Sequence, residues 1–138
     1  MAIVDKIFNE IKLMVARLLL GKKYSEYEEK DLVYNTEEEV ILITLKRLVF
    51  QGNVNEAEEI LFDKAKSVNS ENMQYIAIEF YTMLMEKTDE ELEAMNFSKQ
   101  EVYQGIEDIR KVLNFPEIIY VFLTIFLYLL KCPQSLIL

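Results

Sequence analysis

Histidine is absent from this 138-residue sequence, and cysteine occurs once, as Cys132. Without histidine the chain lacks the commonest general base and the usual nitrogen ligand of metal ions. Carboxylates alone support some reactions, such as glycoside cleavage, but no spacing in this sequence singles out a pair. A lone thiol forms no internal disulfide, which favours a reducing, cytoplasmic setting. We therefore predict no catalytic residue, no metal ligand and no cofactor, and we expect a protein that is not an enzyme.

Glycine and proline are scarce too, with three and two residues respectively. A sheet protein of this size needs more tight turns than so few of these residues supply. The charged positions are rich in Glu and Lys, which are good helix formers, and the length suits one domain. The composition predicts an all-α fold. The apolar spacing along the chain indicates about five to seven helices, and short connections between them favour antiparallel hairpins. We expect a single helical domain over 1–114 and a hydrophobic helix or tail over 115–138.

The net charge of −9 is unevenly distributed along the chain. Residues 1–23 contain five basic and two acidic side chains, whereas residues 24–114 contain nine basic and twenty-one acidic ones. An acidic body repels phosphate backbones, so we predict no binding to nucleic acid. Acidic clusters at 37–39, 56–59 and 89–91 lie at predicted helix N-termini, where the helix dipole favours negative charge. We interpret these clusters as solvated capping residues.

Residues 2–21 are predicted to form a basic amphipathic helix that ends at Gly21, because apolar residues recur there at helical spacing. Three roles stay open for its apolar face: burial against the body or a second copy, binding to an anionic membrane, and binding to another protein. The candidate contacts for a partner or a membrane are the residues of this face and two tail residues, namely Ile7, Phe8, Ile11, Met14, Val15, Leu18, Phe122 and Phe126.

The acidic helical body is predicted over residues 36–114. A Ser or Thr followed three residues later by Glu has the spacing of a capping box, in which each side chain accepts from an exposed amide at a helix start. This spacing occurs at Thr36 with Glu39, at Thr88 with Glu91 and at Ser98 with Glu101, and Ser70 is a further predicted cap. The sequence therefore predicts helix starts at these four places.

Apolar residues follow each predicted start at helical spacing and are expected to form the core. The first of these faces comprises Val40, Ile41, Leu45, Leu48 and Val49, and the third comprises Met73, Ile76, Ala77, Phe80, Tyr81 and Leu84. Tyr75, Tyr81 and Tyr103 are expected in the core or at its edge, since a tyrosine ring is apolar and its hydroxyl needs a polar partner or water.

Residues 118–130 are apolar at every position except Thr124. As a helix, this run would extend about 20 Å, which is short of the roughly 30 Å hydrocarbon core of a membrane. Three interpretations stay open: burial in the protein or in an oligomer, membrane association through 115–131, and a tail outside the native fold.

The segment 45–65, LKRLVFQGNVNEAEEILFDKA, resembles one helix pair of a tetratricopeptide-type repeat. In that family a glycine turns the chain between two helices, and a small residue five positions later lets them approach closely. Gly52 and Ala57 match this pattern, and Leu61 is expected to pack in the same hairpin, whereas Leu45 stands where the family has a small residue. The resemblance implies a tetratricopeptide-like bundle.

The chain is also similar to a family of small helical proteins from Firmicutes-type bacteria without an assigned activity. The similarity covers about residues 3–113 and rests on LLLGK at 18–22, GNVNEAE at 52–58 and NFSKQE at 96–101. It implies a bacterial helical domain and no mechanism. We therefore expect a non-catalytic, cytoplasmic module for protein–protein interaction, with a protein partner or self-association. The alternative is a peripheral or tail-anchored membrane-associated protein that uses helix 2–21 and segment 115–131.

Overall fold

The computed structural model describes residues 2–21, 33–68, 70–114 and 125–130. Within these ranges the chain is helical and contains no strand, which confirms the all-α fold class. Six helices are α1 (Ala2–Leu20), α2 (Thr36–Phe50), α3 (Val54–Ser67), α4 (Asn72–Met85), α5 (Asp89–Ala94) and α6 (Lys99–Asn114). A further helical segment covers 125–130. These seven segments fall in the predicted range of five to seven helices.

The α2–α3 hairpin turns at Gly52, whose φ of +83° is strained for any residue with a Cβ. The Gly52 amide donates to the Val49 carbonyl at 3.0 Å, and the Asn53 amide donates to the Leu48 carbonyl at 2.8 Å. This pair of bonds is a Schellman motif, which satisfies two carbonyl groups at the end of α2. Three residues therefore separate α2 from α3, which packs back against it.

Helix α4 lies at the centre of the fold, because α1, α2 and α6 all pack against it. Its predicted inner face, which comprises Met73, Ile76, Ala77, Phe80, Tyr81 and Leu84, is buried. Ile78, Thr82 and Met85 are buried as well, on the opposite side of the helix. A helix that is apolar around most of its circumference is typical of a buried position. Here three neighbouring helices cover it.

Helix α1 packs against α4 and α6 and closes one side of the core. Val15, Ala16 and Leu19 are fully buried, and Leu20 is nearly so. The sequence left open whether the apolar face of this helix is buried, binds a membrane or binds another protein. For these residues, the structure shows burial against the body. The basic N-terminal helix and the acidic body share one hydrophobic core.

The helix caps differ from the prediction in two places, and one of them is α4, whose N-cap residue is Glu71 and not the predicted Ser70. Thr88 and Glu91 form the predicted capping box at α5, and the Glu101 amide donates to the Ser98 hydroxyl at 3.2 Å. At α2, however, the capping box is formed by Asn35 and Glu38, so the predicted pair Thr36 and Glu39 was wrong by one residue. Asn35 and Thr36 both precede a Glu by three residues, and Asn is at least as good an N-cap as Thr.

Three further predictions about burial were wrong. Val40, assigned to the core, is 57% exposed, and Tyr103, assigned to the core or its edge, is 49% exposed. Glu38, interpreted as a solvated capping residue, is only 1% exposed. Each of these residues lies on a helix whose rotation about its axis is set by its neighbours, which local spacing does not reveal. Tyr81 is fully buried as predicted, and Tyr75 packs partly buried against the core.

Candidate interaction surfaces

The predicted partner face of α1 is divided by the fold between an inner and an outer side. Val15 is fully buried in the core, and Ile11 is partly buried against it. Met14 and Leu18 are 38% and 40% exposed, and Leu13, which lies beside them, is 41% exposed. Val15 therefore does not belong to a partner face in the folded monomer, because it already packs against the body. The remaining outer face of α1 comprises Leu13, Met14 and Leu18.

Three of the other predicted contact residues have side chains outside the described part of the structure. These are Ile7, Phe8 and Phe122. Phe126 lies in the helical segment 125–130 and is 56% exposed. Three residues were predicted to pack the hairpin turn. Gly52 lies at the turn itself, and Ala57 and Leu61 are fully buried on the inner face of α3.

The outer face of α2 is an apolar surface that the sequence analysis missed. Val40, Ile43 and Phe50 are 57%, 65% and 92% exposed. Their spacing of three and seven residues places them on one side of the helix, opposite the side that faces α3 and α4. The composition of α2 could have indicated this surface, because the helix has too many apolar residues for a single buried face. If one side of α2 packs in the core, the apolar residues on its other side must be exposed.

The helical segment 125–130, with sequence IFLYLL, is exposed along its whole length. Each of its six side chains has between 44% and 65% of its surface accessible, and no position is buried. The segment contains no charged residue. An apolar helix with every side chain accessible is unusual in a soluble monomer, because contiguous exposed apolar surface of this kind normally marks a contact with something else.

Glu38 is the centre of a buried hydrogen-bond network between the N-termini of α2 and α4. Its carboxylate accepts from the Asn35 amide at 2.8 Å, from the Asn72 side-chain amide at 3.1 Å and from the Ser70 hydroxyl. Burial disfavours its charge, but these three donors outweigh burial and hold the pKa of Glu38 below its ordinary value. Ser70 also accepts from the Asn72 amide at 3.2 Å, from one residue before the N-cap Glu71.

Glu58 forms a second carboxylate site, between α3, α4 and α6. The Tyr81 hydroxyl donates to its Oε2 at 2.8 Å. Burial raises the pKa of Glu58, the bond from Tyr81 lowers it, and the negative charges of Asp108 and Glu101 raise it further, so that the net shift is upward. Burial, together with the adjacent Glu58 carboxylate, also raises the pKa of Tyr81.

Gly105 of α6 makes this contact sterically feasible. A Cβ at this position would overlap Oε2 of Glu58 and would lie 2.6 Å from the Tyr81 hydroxyl oxygen and 2.9 Å from Cε1 of the same ring, closer than such atoms approach in folded proteins. The glycine therefore admits the buried ring and the Glu58 carboxylate beneath α6. A carboxyl group with a raised pKa is suited to donate a proton, but here its hydrogen-bond partner among the described residues is a tyrosine that packs three helices together.

The described residues form neither a metal-ligand cluster nor a membrane-spanning helix. In 2–21, 33–68, 70–114 and 125–130, no group of three or more Cys, Asp or Glu residues is arranged to hold a metal ion. Among the helices of the same ranges, none has both the length and the apolar character required to cross a bilayer.

The comparisons with known proteins place the chain in a family without assigning an activity. No curated protein matches this sequence, and no solved structure matches it. A family model, described as "Family of unknown function (DUF6483)", matches residues 2–114. The match spans α1 to α6 and stops before segment 125–130. Because it covers most of the chain, the protein belongs to this family of unknown function.

Proposed function

We propose that this chain is a non-catalytic helical module that binds another protein chain through exposed apolar helix faces. The observation that carries the proposal is the outer face of α2, where Val40, Ile43 and Phe50 are all more than half exposed. Removing large apolar side chains from water drives most protein association. Phe50 in particular is 92% exposed, and aromatic anchors of this kind contribute much of the binding energy at interfaces.

The architecture supports the same role. The α2–α3 hairpin with Gly52 and Ala57 resembles one tetratricopeptide-type unit, and we propose that it serves, like such units, as a rigid platform for a partner. The net charge of −9 and the basic character of residues 1–23 favour partners that present complementary charge around an apolar centre. The sequence resemblances favour a bacterial, cytoplasmic protein.

Two observations support a non-catalytic role. The sequence contains no histidine, which removes the residue most often used for proton transfer near neutral pH. The two carboxylates with distinctive environments, Glu38 and Glu58, each bridge helices through hydrogen bonds to other side chains. Both arrangements stabilise packing between secondary-structure elements, and we assign them that structural role.

Photo-cross-linking tests the proposal with little disturbance of the fold. Benzoylphenylalanine would replace Phe50, which preserves an aromatic ring at an exposed position. The matched control carries the same amino acid in place of Tyr103, an exposed aromatic residue of α6. We expect discrete protein adducts from position 50 in the native host and few from position 103. If position 50 yields no protein adduct, or lipid adducts alone, the proposed function is wrong.

A further inference from the structure

The two most exposed apolar surfaces of the described structure lack a cover. One is the outer face of α2, which comprises Val40, Ile43 and Phe50, and the other is the segment 125–130. The segment is helical and exposed on every side, so it is not packed against the α2 face of its own chain. Both surfaces are rich in branched aliphatic and aromatic side chains, which pack well against each other.

The sizes of the two surfaces indicate what kind of contact would be stable. Because a large apolar side chain presents roughly 200 Å² when fully exposed, the α2 face offers about 400 Å² and the segment about 600 Å². One segment on one α2 face would bury about 800 Å² in total, which is below the roughly 1,000 Å² expected of a specific interface. Two such contacts between the same pair of molecules would bury about 1,600 Å², the usual size of a stable complex.

A second copy of the chain supplies both contacts by symmetry. Closed twofold dimers are the commonest assemblies, and each copy in such a dimer contributes the same surfaces. Charges of both signs border the outer α2 face, namely Glu39, Lys46 and Arg47, and segment 125–130 is uncharged, so no like-charge repulsion opposes this contact. Elsewhere, the acidic body would repel a second copy.

We propose that two copies of this chain form a dimer in which segment 125–130 of each copy covers the outer α2 face of the other. This inference rests on the proposed function and names its partner. It also assigns a role to the apolar segment that lies beyond the family match at 2–114. A membrane surface is the competing occupant of segment 125–130, and vesicle binding distinguishes it from a second copy.

Sedimentation velocity of the full chain over a range of concentrations tests the dimer. We expect the wild-type chain to sediment as a dimer at micromolar concentration. Phe50→Glu and Phe126→Glu each place a charge in both contacts, and each should weaken dimerisation by at least about tenfold. Both positions are exposed, so neither change should unfold the monomer, which circular dichroism would verify. Leu13→Gln on the outer face of α1 is the control and should leave the dimer intact.

Mixing the two variants provides the sharper test. A Phe50→Glu copy keeps an intact segment, and a Phe126→Glu copy keeps an intact α2 face, so a mixed dimer regains one undamaged contact of the two. We expect mixtures to associate more strongly than either variant alone. If Phe126→Glu abolishes the dimer and Phe50→Glu does not, the two 125–130 segments pair with each other. That result would overturn the proposed contact between the segment and the outer α2 face.

A wild-type monomer at all concentrations would overturn the dimer itself. So would a monomer that co-sediments with vesicles of anionic phospholipid and loses that binding on Phe126→Glu. Adducts between position 50 and a different protein would support the proposed function while contradicting self-association. Failure of the two proposals is thereby distinguishable.

Discussion

Glu38 and Glu58 are both carboxylates at helix junctions, yet their pKa values shift in opposite directions. Glu38 is the more buried by accessible surface, at 1% exposure, but three donors from Asn35, Ser70 and Asn72 surround it. In the described part of the chain, Glu58 has one donor, the Tyr81 hydroxyl, and two acidic neighbours. Burial opposes the charge at both sites. At Glu38 three donors outweigh burial, whereas at Glu58 one donor does not outweigh burial and two nearby negative charges.

The helix junctions at Glu38 and at Glu58 also differ in kind. The Glu38 junction is polar and ties α2 to α4 at their N-termini, where exposed backbone amides need acceptors. The Glu58 junction is mainly a packing contact, in which the Tyr81 ring, T-shaped against Phe80 with centroids 5.0 Å apart, extends beneath Gly105. We expect the first to depend on charge and the second on shape.

The largest effect is expected from Glu38→Ala. It removes a charged acceptor from three donors and should lower the free energy of unfolding by about 3 kcal/mol. Glu39→Ala is the matched control, because it makes the same change one residue away at an exposed position, and it should have an effect below about 0.5 kcal/mol. Urea unfolding at pH 7 measures both. Equal losses in the two variants would contradict the assignment of Glu38 as a buried anchor.

Gly105→Ala should be the next most damaging change. Alanine is the better helix former by about 1 kcal/mol, yet its Cβ would clash with the rigid Tyr81 ring, and we expect a net loss of about 2 kcal/mol. Tyr81→Phe removes the hydroxyl that lies 2.6 Å from that Cβ. In that background the loss from Gly105→Ala should shrink, which a double-mutant cycle would detect. A stabilised Gly105→Ala variant would show that the ring moves freely.

Ser70→Ala tests how far one donor controls the Glu38 carboxylate. It removes the hydroxyl that donates to Glu38 and accepts from the Asn72 amide, and it should cost about 1 kcal/mol at pH 7. The pKa of Glu38 should rise, because burial then meets two donors in place of three. Carboxyl titration by NMR would follow this residue directly, and an unchanged pKa would mean that Ser70 contributes only as a helix cap.

Glu58→Gln should have the smallest effect, and its sign should be opposite. The pKa of Glu58 is raised in the folded state, so its stabilising contribution is complete below the ordinary value of 4.5 and is lost as pH rises through the folded pKa. Gln keeps an acceptor for Tyr81 without charge, and we expect a gain below about 1 kcal/mol at pH 7 and little change at pH 4. A loss at pH 7 would contradict this electrostatic account.

The pH dependence of the two sites separates them within one experiment. The pKa of Glu38 is lowered, so its contribution is present above 4.5 and disappears as pH falls through the folded pKa. Urea unfolding as a function of pH should therefore show that Glu38→Ala flattens the acid limb below 4.5. Glu58→Gln should change the slope above 4.5 only. If the two variants showed the same dependence of stability on pH, the opposite pKa shifts of Glu38 and Glu58 would be wrong.

Local sequence was sufficient where a motif uses only its own residues. The Thr88 and Glu91 capping box and the turn at Gly52 were predicted because every group involved lies within a few positions. At α2, two equivalent spacings compete, and the correct pair is the one in which Glu38 also reaches Ser70 and Asn72, over thirty residues away. That choice depends on tertiary contacts that no local pattern contains.

The candidate surfaces were likewise predicted only in part from the sequence. The sequence indicated an apolar face on α1 and an apolar tail, and Met14, Leu18 and Phe126 are indeed exposed. It did not reveal that Val15 faces the core or that Phe50 faces solvent. Both assignments depend on which helix lies next to which. The predicted domain range 1–114 and the predicted absence of catalysis stay predictions.

The sequence by itself determined that this chain is helical and where most helices begin and end. Composition, apolar spacing and capping residues act over one or two turns, and they suffice for that purpose. Tertiary structure alone decided that Glu38 is a buried anchor, that Glu58 is held with a raised pKa, and that the outer face of α2 is exposed. The reason is physical: burial and pKa depend on neighbours distant along the chain, whose positions only the packing of helices determines.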